Sequence, residues 1–395
     1  MKLRNNRWAA LLAVTLAYSF AFLTRYIWSP VMVDAGAEFQ LDSVQMGLYM
    51  TTFMIGYLFM QLPGGILADR LQPKYLLVVM VGVAAVCSAA FSSISSYGMG
   101  LAMRAIEGIA CGGIYSSCSK IVSSYFQQKD RAIAMGILLS SAPLGILLAN
   151  MLGEPLNEAF GWRATIRIIA FIGIGVLALL ILLVRTQPQQ SAGAGGRGLL
   201  EGAKLYFRDT QQLLLGVGGM MSMFASVGFA TWMNTYMKES LGYSGIQGGF
   251  LLTVYSIVSI GAACVSGPIV KKFGWDPRKF ILVFFAVGAV CSAAFGMLSS
   301  YPALMALGVV YGIAGNLPSA HLANLCILRA PEKHIGSMCA LENLIFQCGA
   351  MLQSYLIGAA ANVTGSYHCM WWIFAAAGVL SVIFIFLFKV EKKTV

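Results

Sequence analysis

The sequence predicts an all-α membrane protein of twelve transmembrane helices in two pseudo-symmetric six-helix halves. Three observations predict it. Of 395 residues, 58% are hydrophobic and only 10% charged, with a mean hydropathy of +0.77, which is not the composition of a soluble domain. Twelve segments reach the ~20 mostly apolar residues needed to cross the hydrocarbon core, leaving short polar breaks and no room for a soluble domain. One break, TQPQQSAGAGGRGLLEGAKLYFRDT, is longer than the rest, is rich in Gly, Ser and Gln, and parts the spans six and six.

Span 1 covers 8–33. Only MKLRNNR precedes it, and the segment is too long for a signal-peptide core, so it is expected to stay as a helix. Spans 2 (44–67) and 3 (74–95) meet at GILADRLQPK, residues 65–74. Span 4 (98–120) carries RAIEGIACGG, whose Gly108 and Gly112 permit close helix approach. Spans 5 (131–153) and 6 (164–186) flank FGWRA. The break at 187–208 is a flexible cytoplasmic linker with a short amphipathic helix near 198–207. Span 7 (209–236) ends in TWMNTY, and span 8 (246–270) runs into GPIVKKFGWDPRK, residues 267–279. Spans 9 (278–298), 10 (302–328), 11 (335–360) and 12 (369–389) complete the second half. Continuous apolarity requires helices, since barrel strands would alternate. The cation-rich, Gly-led breaks after spans 2 and 8 form an internal repeat, so 1–186 and 209–395 read as halves of like topology.

Of the 26 Lys and Arg, only Arg163, Arg167 and Lys238 fall outside if the N-terminus is cytoplasmic. Arg25 and Arg104 lie at membrane depth, and the rest, from Lys2, Arg4 and Arg7 through Lys129, Arg197 and Lys333 to Lys389, Lys392 and Lys393, fall inside. Both termini are therefore expected to be cytoplasmic. The net charge of +11 is topological, and no nucleic-acid partner is expected. A short chain without large loops points to a multi-pass protein of the bacterial inner membrane, working as a monomer in the lipid bilayer. The nine cysteines lie in or at the ends of spans without CxxC spacing and read as small apolar packers. No nucleophile with a base, metal-ligand cluster or nucleotide loop is visible, so the chain reads as a carrier rather than an enzyme, with no resident cofactor or metal.

The whole chain resembles the major facilitator superfamily of secondary transporters. The superfamily's loop signature, Gly-x-x-x-Asp-Arg-x-Gly-x-Arg/Lys, is matched by Gly65, Asp69, Arg70 and Lys74, with Gln72 where Gly is usual. The resemblance implies a cytoplasmic gating motif in which Asp69 accepts hydrogen bonds from a neighbouring helix end. The second copy has Lys271 at the Asp position, so its clasp is expected to be weaker or absent. Arg104, Gly108 and Gly112 resemble the family's Arg-x-x-x-Gly-x-x-x-Gly pattern. TRYIWSPVM with its spacing to GYLFMQLPGGILADR, RAIEGIACGG, FGWRA and TGSY resemble the anion:cation symporter group, carriers of sugar acids and organic anions. Many members place an acid directly before the span-1 arginine and a glutamate seven residues after the span-4 arginine. Here Thr24 and Cys111 stand there. Both missing acids are proton-coupling candidates in that group, so coupling must use another group or another mechanism.

An ionisable residue at membrane depth costs about 2.5–3.5 kcal/mol on insertion scales and tends to face a cavity. Arg25, Arg104, Glu107, Glu342 and His321 are such residues. At 1.5 Å per residue Arg25 lies about 26 Å along span 1, and Arg104 and Glu107 share its depth zone from span 4. Arg104 and Glu107 are three apart and can meet on one helix face. If they pair, Arg25 is left as the unmatched cation, a permanent bidentate receptor for a carboxylate. The alternatives for Arg25 are snorkelling or a pair with Asp34. Arg104 is a second substrate contact or a structural arginine, and Glu107 a proton carrier or a salt-bridge partner. Tyr18, Tyr49, Tyr57 and Tyr115 lie on cavity-side spans; Tyr57 is kept as a substrate contact.

The second half offers Trp232, Asn234 and Tyr236 on span 7, Asn316 and His321 on span 10, and Asn343 and Gln347 on span 11, groups suited to hydroxyls. Trp232 and Tyr236 are alternatively interfacial anchors, and His321 a packing residue. Glu342 is a proton site or an inner-gate partner. Span 7 lacks the arginine that organophosphate exchangers place there, which favours a hydroxylated monocarboxylate. Asp34, Glu38, Asp42, Glu154 and Glu158 are expected outside and solvated. The expected activity is secondary transport of a small organic anion by alternating access, in symport with protons, sodium being the alternative coupling ion. An organic-anion exchanger, a drug or metabolite exporter and a transporter-fold sensor are the other readings.

Overall fold

The computed structural model describes residues 6–186, 197–331 and 334–389. Lys2, Arg4, Lys333, Lys392, Lys393 and the linker residues 187–196 lie outside the described residues, as do the side chains of Lys129 and Arg197. The chain forms two compact units, Met1–Gly193 with Ser244–Phe250, and Ala194–Tyr243 with Leu251–Val395.

The first unit holds α1 (Arg7–Tyr26), α2 (Trp28–Phe39), α3 (Ser43–Arg70), α4 (Pro73–Phe91), α5 (Tyr97–Gly112), α6 (Ile114–Tyr125), α7 (Gln128–Leu139) and α8 (Ser141–Leu183). The second holds α9 (Arg197–Arg208), α10 (Thr210–Glu239), most of α11 (Gly245–Phe273), α12 (Pro277–Phe295), α13 (Tyr301–Asn316), α14 (Ser319–Arg329), α15 (Ile335–Thr364) and α16 (Cys369–Leu387). Among the described residues, 10 helical stretches are long and apolar enough to cross a membrane. One of these, Ile133–Leu183, is 51 residues long and holds two spans, because Gly161 sits at φ 79°, ψ 163° and turns the chain inside it. The remaining span is α5 with α6. It carries Arg104, Glu107 and Lys120, with several Gly and Ser, which lower its mean hydropathy below that of the other ten. The protein is thus an all-α, twelve-span membrane protein.

Span 1 is not the unbroken helix expected. It stops at Tyr26 and restarts at Trp28, because Pro30 has no N–H for the Tyr26 carbonyl and its ring crowds that oxygen. Between α3 and α5 the backbones touch. A Cβ on Gly108 would stand 2.0 Å from Phe53 O, one on Gly112 2.4 Å from Tyr57 O, and one on Gly56 2.2 Å from Ala105 O. Small residues permit this approach, which lipid alone does not drive.

The repeat seen in sequence has a physical counterpart. Pro73 and Lys74 open α4, and Lys74 Nζ donates to Ile181 O, 3.3 Å away in the last turn of α8. Pro277 and Arg278 open α12, and Arg278 Nε donates to Ile385 O, 3.1 Å away in the last turn of α16, with Nη2 on Phe386 O. Each cation satisfies carbonyls that a helix end leaves open and sits at the negative pole of its dipole. Lys74, expected in the gating motif, is buried in this tie. Asp69 of the same motif pairs with Lys120 of α6, inside its own unit.

The outward acids correct a reading made from chain position alone. Glu38 accepts from Trp162 Nε1 at 2.6 Å and from Arg163 Nε and Nη2 at 3.1 and 2.7 Å, so FGWRA is a clasp. Asp34 accepts from Asn157, and Glu154 is fully buried. These acids sit on α2 and on the first part of α8, which run on past the expected span ends and pack together. The linker ends in the short helix expected near 198–207. That helix is α9, whose Tyr206 is buried and donates to Gln212 O at 3.0 Å, making it part of the second bundle.

Candidate functional site

At the α1–α2 break, helical hydrogen bonding is interrupted and carbonyls need other donors. Arg104 of α5 supplies them: Nη1 reaches Thr24 O at 3.1 Å and Nη2 reaches Arg25 O at 3.3 Å. Nη1 also meets Glu107 Oε2 at 2.7 Å, and Glu107 Oε1 accepts from Ser88 Oγ of α4 at 2.5 Å. The guanidinium carbon lies 4.7 Å from the Phe53 ring centroid. Side-chain exposure of the pair is 3% and 2%, a depth at which an ion pair persists only if further hydrogen bonds satisfy it. Both Glu107 oxygens are engaged. The close α3–α5 crossing at Gly108 holds this arrangement against α1.

Arg25 is different. It is 3% exposed, its guanidinium carbon lies 5.0 Å from the Tyr26 ring and 5.9 Å from the Tyr57 ring, and its Nε and Nη2 have no hydrogen-bond partner. Those two nitrogens form one edge of the guanidinium fork. Tyr18 and Tyr115, 5.3 Å apart by ring centroid, belong to the same tyrosine group. Thr24 Oγ1 and Cys111 Sγ are 3.7 Å apart and buried. The two positions where the resembled group carries acids are therefore neighbours, and here they are neutral.

In the second unit a cavity of about 280 Å³ opens among α10, α12, α13, α14 and α15. Asn316, Glu342 and Asn343 line it, together with Ser222, Ser226 and Cys339. Asn316 Nδ2 donates to Ser259 Oγ at 2.9 Å. Glu342 is 2% exposed; the Cys326 thiol lies beside it, and its Oε1 has no partner. Cys339 Sγ in turn donates to Cys326 Sγ at 3.7 Å.

The other predicted contacts do not line that cavity. Trp232 and Tyr236 are fully buried, Trp232 against Tyr367 and Tyr236 between Trp371 and His368, with Tyr236 Oη 3.3 Å from His368 Nδ1. They are core residues of their bundle rather than interfacial anchors. His321 Nε2 is 3.0 Å from Ser266 Oγ, with its ring against Phe280. Asn234 is buried on α10 and Gln347 lies a turn beyond Asn343, also buried. Sequence reasoning missed Tyr26, Ser88, Ser222, Ser226 and the thiols Cys326 and Cys339. Only Cys339 left a signal, standing three residues before Glu342.

The comparisons with known proteins agree with this architecture. The hexuronate transporter of Bacillus subtilis (strain 168) is 24% identical over 351 residues, 84% of this chain and 82% of that protein. The "Probable galactarate/D-glucarate transporter GudP" of the same organism is 21% identical over 406 residues, 93% of this chain and 88% of that protein. Both fit the anion:cation symporter resemblance. A solved bacterial homologue of the human lysosomal transporter Spinster superposes with a TM-score of 0.78 at 18% identity, covering 96% of this chain and 95% of that one. The nucleoside transporter NupG (D323A mutant) superposes with a TM-score of 0.82 at 14% identity, covering 96% and 100%. The family model for the Major Facilitator Superfamily matches residues 14–295 and 215–395, and the chain belongs to that superfamily.

Proposed function

We propose that this chain is a secondary carrier of a small hydroxylated carboxylate, of the sugar-acid class, moved by alternating access in symport with protons across a bacterial inner membrane, both termini inside. The observation that carries the reading is the unpartnered Nε/Nη2 edge of buried Arg25. A carboxylate takes two parallel hydrogen bonds from such an edge, and the guanidinium cannot lose its proton. Arg104 acts in this reading as a positioning residue, because its ties to the Thr24 and Arg25 carbonyls hold the segment that presents Arg25. Tyr57 bounds the receptor, its ring 5.9 Å from the Arg25 guanidinium carbon. The sugar-acid relatives support the substrate class. Gly65, Asp69 and Arg70 keep the proposed gating role.

A second reading, obligate exchange of organic anions, is favoured by the neutral Thr24/Cys111 contact, since exchange needs no proton carrier. The experiment is lumen pH in proteoliposomes with a trapped dye, challenged with sugar acids, short hydroxy acids and dicarboxylates, for the native chain and Arg25→Gln. Symport gives acidification by one class of acid, abolished by Arg25→Gln. Uptake confined to preloaded vesicles selects exchange, and full uptake by Arg25→Gln refutes the receptor.

A further inference from the structure

We infer that Glu342 is the group that carries the coupled proton, exchanging it with water through the second unit's cavity; this rests on the symport reading above and names its coupling group. Among the described residues three acids are buried, Glu107, Glu154 and Glu342; Glu154 sits where α8 packs on α2, past the expected span end, and borders no cavity described above. Glu107 is committed, one oxygen to Arg104 and the other to Ser88. Glu342 is not: its Oε1 is buried and unpartnered, and its side chain lines a cavity of about 280 Å³, room for several waters at roughly 30 Å³ each.

The groups facing Glu342 are Cys326 from α14, Cys339 from its own helix and Tyr206 from α9. The residues that α10 and α12 bring to the cavity, Ser222, Met223, Ser226 and Phe285 among them, do not titrate, and among the described residues no Lys, Arg or His lines it. No cation there offsets an ionised carboxylate, which is costly to bury alone. A proton offsets it. Thiols are poor partners for a hard cation such as sodium, and as weak donors and acceptors they leave the carboxyl free to gain and lose a proton. In each cycle one O–H bond forms at Oε1 with a proton taken from water on one side, and the same bond breaks to water on the other. No bond of the substrate changes, and one proton balances the charge of one monocarboxylate.

The test uses the full chain in proteoliposomes with a trapped pH dye and labelled D-glucuronate, D-galactonate and D-glucarate as probes. The expected result is that Glu342→Gln loses lumen acidification and uphill uptake while labelled-acid counterflow between preloaded vesicles continues, and that Glu342→Asp still acidifies. Acidification by Glu342→Gln at the native rate overturns the inference and leaves the anion reading standing. Loss of counterflow in both variants assigns Glu342 to packing or binding and also overturns it. Native uptake driven by sodium without proton movement, lost in Glu342→Gln, replaces the proton with a sodium site. If only Glu342→Asp is active, a shifted pH profile of acidification supports the inference and an unchanged profile overturns it. If none of the three acids moves in the native chain, the anion reading fails and takes this inference with it.

Discussion

Substituting Gly108 by Ala tests the contact on which the Arg104 arrangement depends. The added methyl would stand 2.0 Å from Phe53 O and 2.9 Å from Phe53 C, whereas carbon and oxygen approach comfortably only to about 3.3 Å. The crossing must therefore open by roughly 1 Å, and Gly56 and Gly112 share the same seam. Overpacking of this kind costs about 1–3 kcal/mol, offset by up to about 1 kcal/mol of helix propensity gained over glycine. With the full offset the net loss, up to about 2 kcal/mol, lowers the melting temperature by up to about 8 °C for a unit of this size. Thermal unfolding in detergent, followed by a thiol-reactive dye, reads it directly, because Cys87, Cys111 and Cys118 are buried in the same unit. Gly175→Ala is the control: a methyl there meets nothing within 4 Å, so only the propensity gain remains. The same opening stretches the 3.1 and 3.3 Å contacts from Arg104 to the α1 carbonyls, so the apparent KM for the transported acid should rise in Gly108→Ala and not in Gly175→Ala. Melting of Gly108→Ala at or above the control would show that the helices do not cross this closely.

Glu107→Gln leaves the buried Arg104 without its carboxylate and should cost about 3–5 kcal/mol; the Arg104→Met/Glu107→Leu double variant should melt higher than this single one, and the reverse order would argue against a buried pair. Lys74→Met and Arg278→Met should each lower stability by roughly 0.3–1 kcal/mol, up to about 2 in a buried setting, with additive effects in the double variant, since the two ties share no partner. Differential labelling of Cys118 and Cys291 would separate the units. Glu38→Gln, at a carboxylate whose side chain is 45% exposed, should change stability by less than about 1 kcal/mol, and a large loss measured by the same melting assay would mean the FGWRA clasp is more than a surface pair.

Spans were legible because hydropathy is a local property, and Arg25 because a charge in FLTRYIWSP breaks an apolar run. The Arg104 and Glu107 pair could be read from a spacing of three on one helix. The break at Ile27 was also written in the chain, in Pro30, but continuous apolarity masked it. Glu154 was misjudged because distance along a chain gives depth and not direction, and it points into packed helices, while Glu38 is exposed as expected but tied to Trp162 and Arg163. Ser88 beneath Glu107, the Thr24/Cys111 contact and the grouping of Cys326 with Cys339 and Glu342 join residues from different helices. No local pattern announces such contacts.

The interruption in the first span bears on the order in which the chain can be made. The carbonyls of Thr24 and Arg25 receive Arg104, which follows 80 and 79 residues later. At synthesis rates of about 5–20 residues per second, the wait is roughly 4 to 16 s. During that interval the leading segment carries an arginine and a loosened turn at a depth where an unbonded carbonyl costs several kcal/mol. It is complete for lipid only once the fourth span has arrived, so the first four spans should leave the insertion machinery as a group. The second half meets no such delay at its start, since α10 runs from Thr210 to its last turn before reaching Lys238.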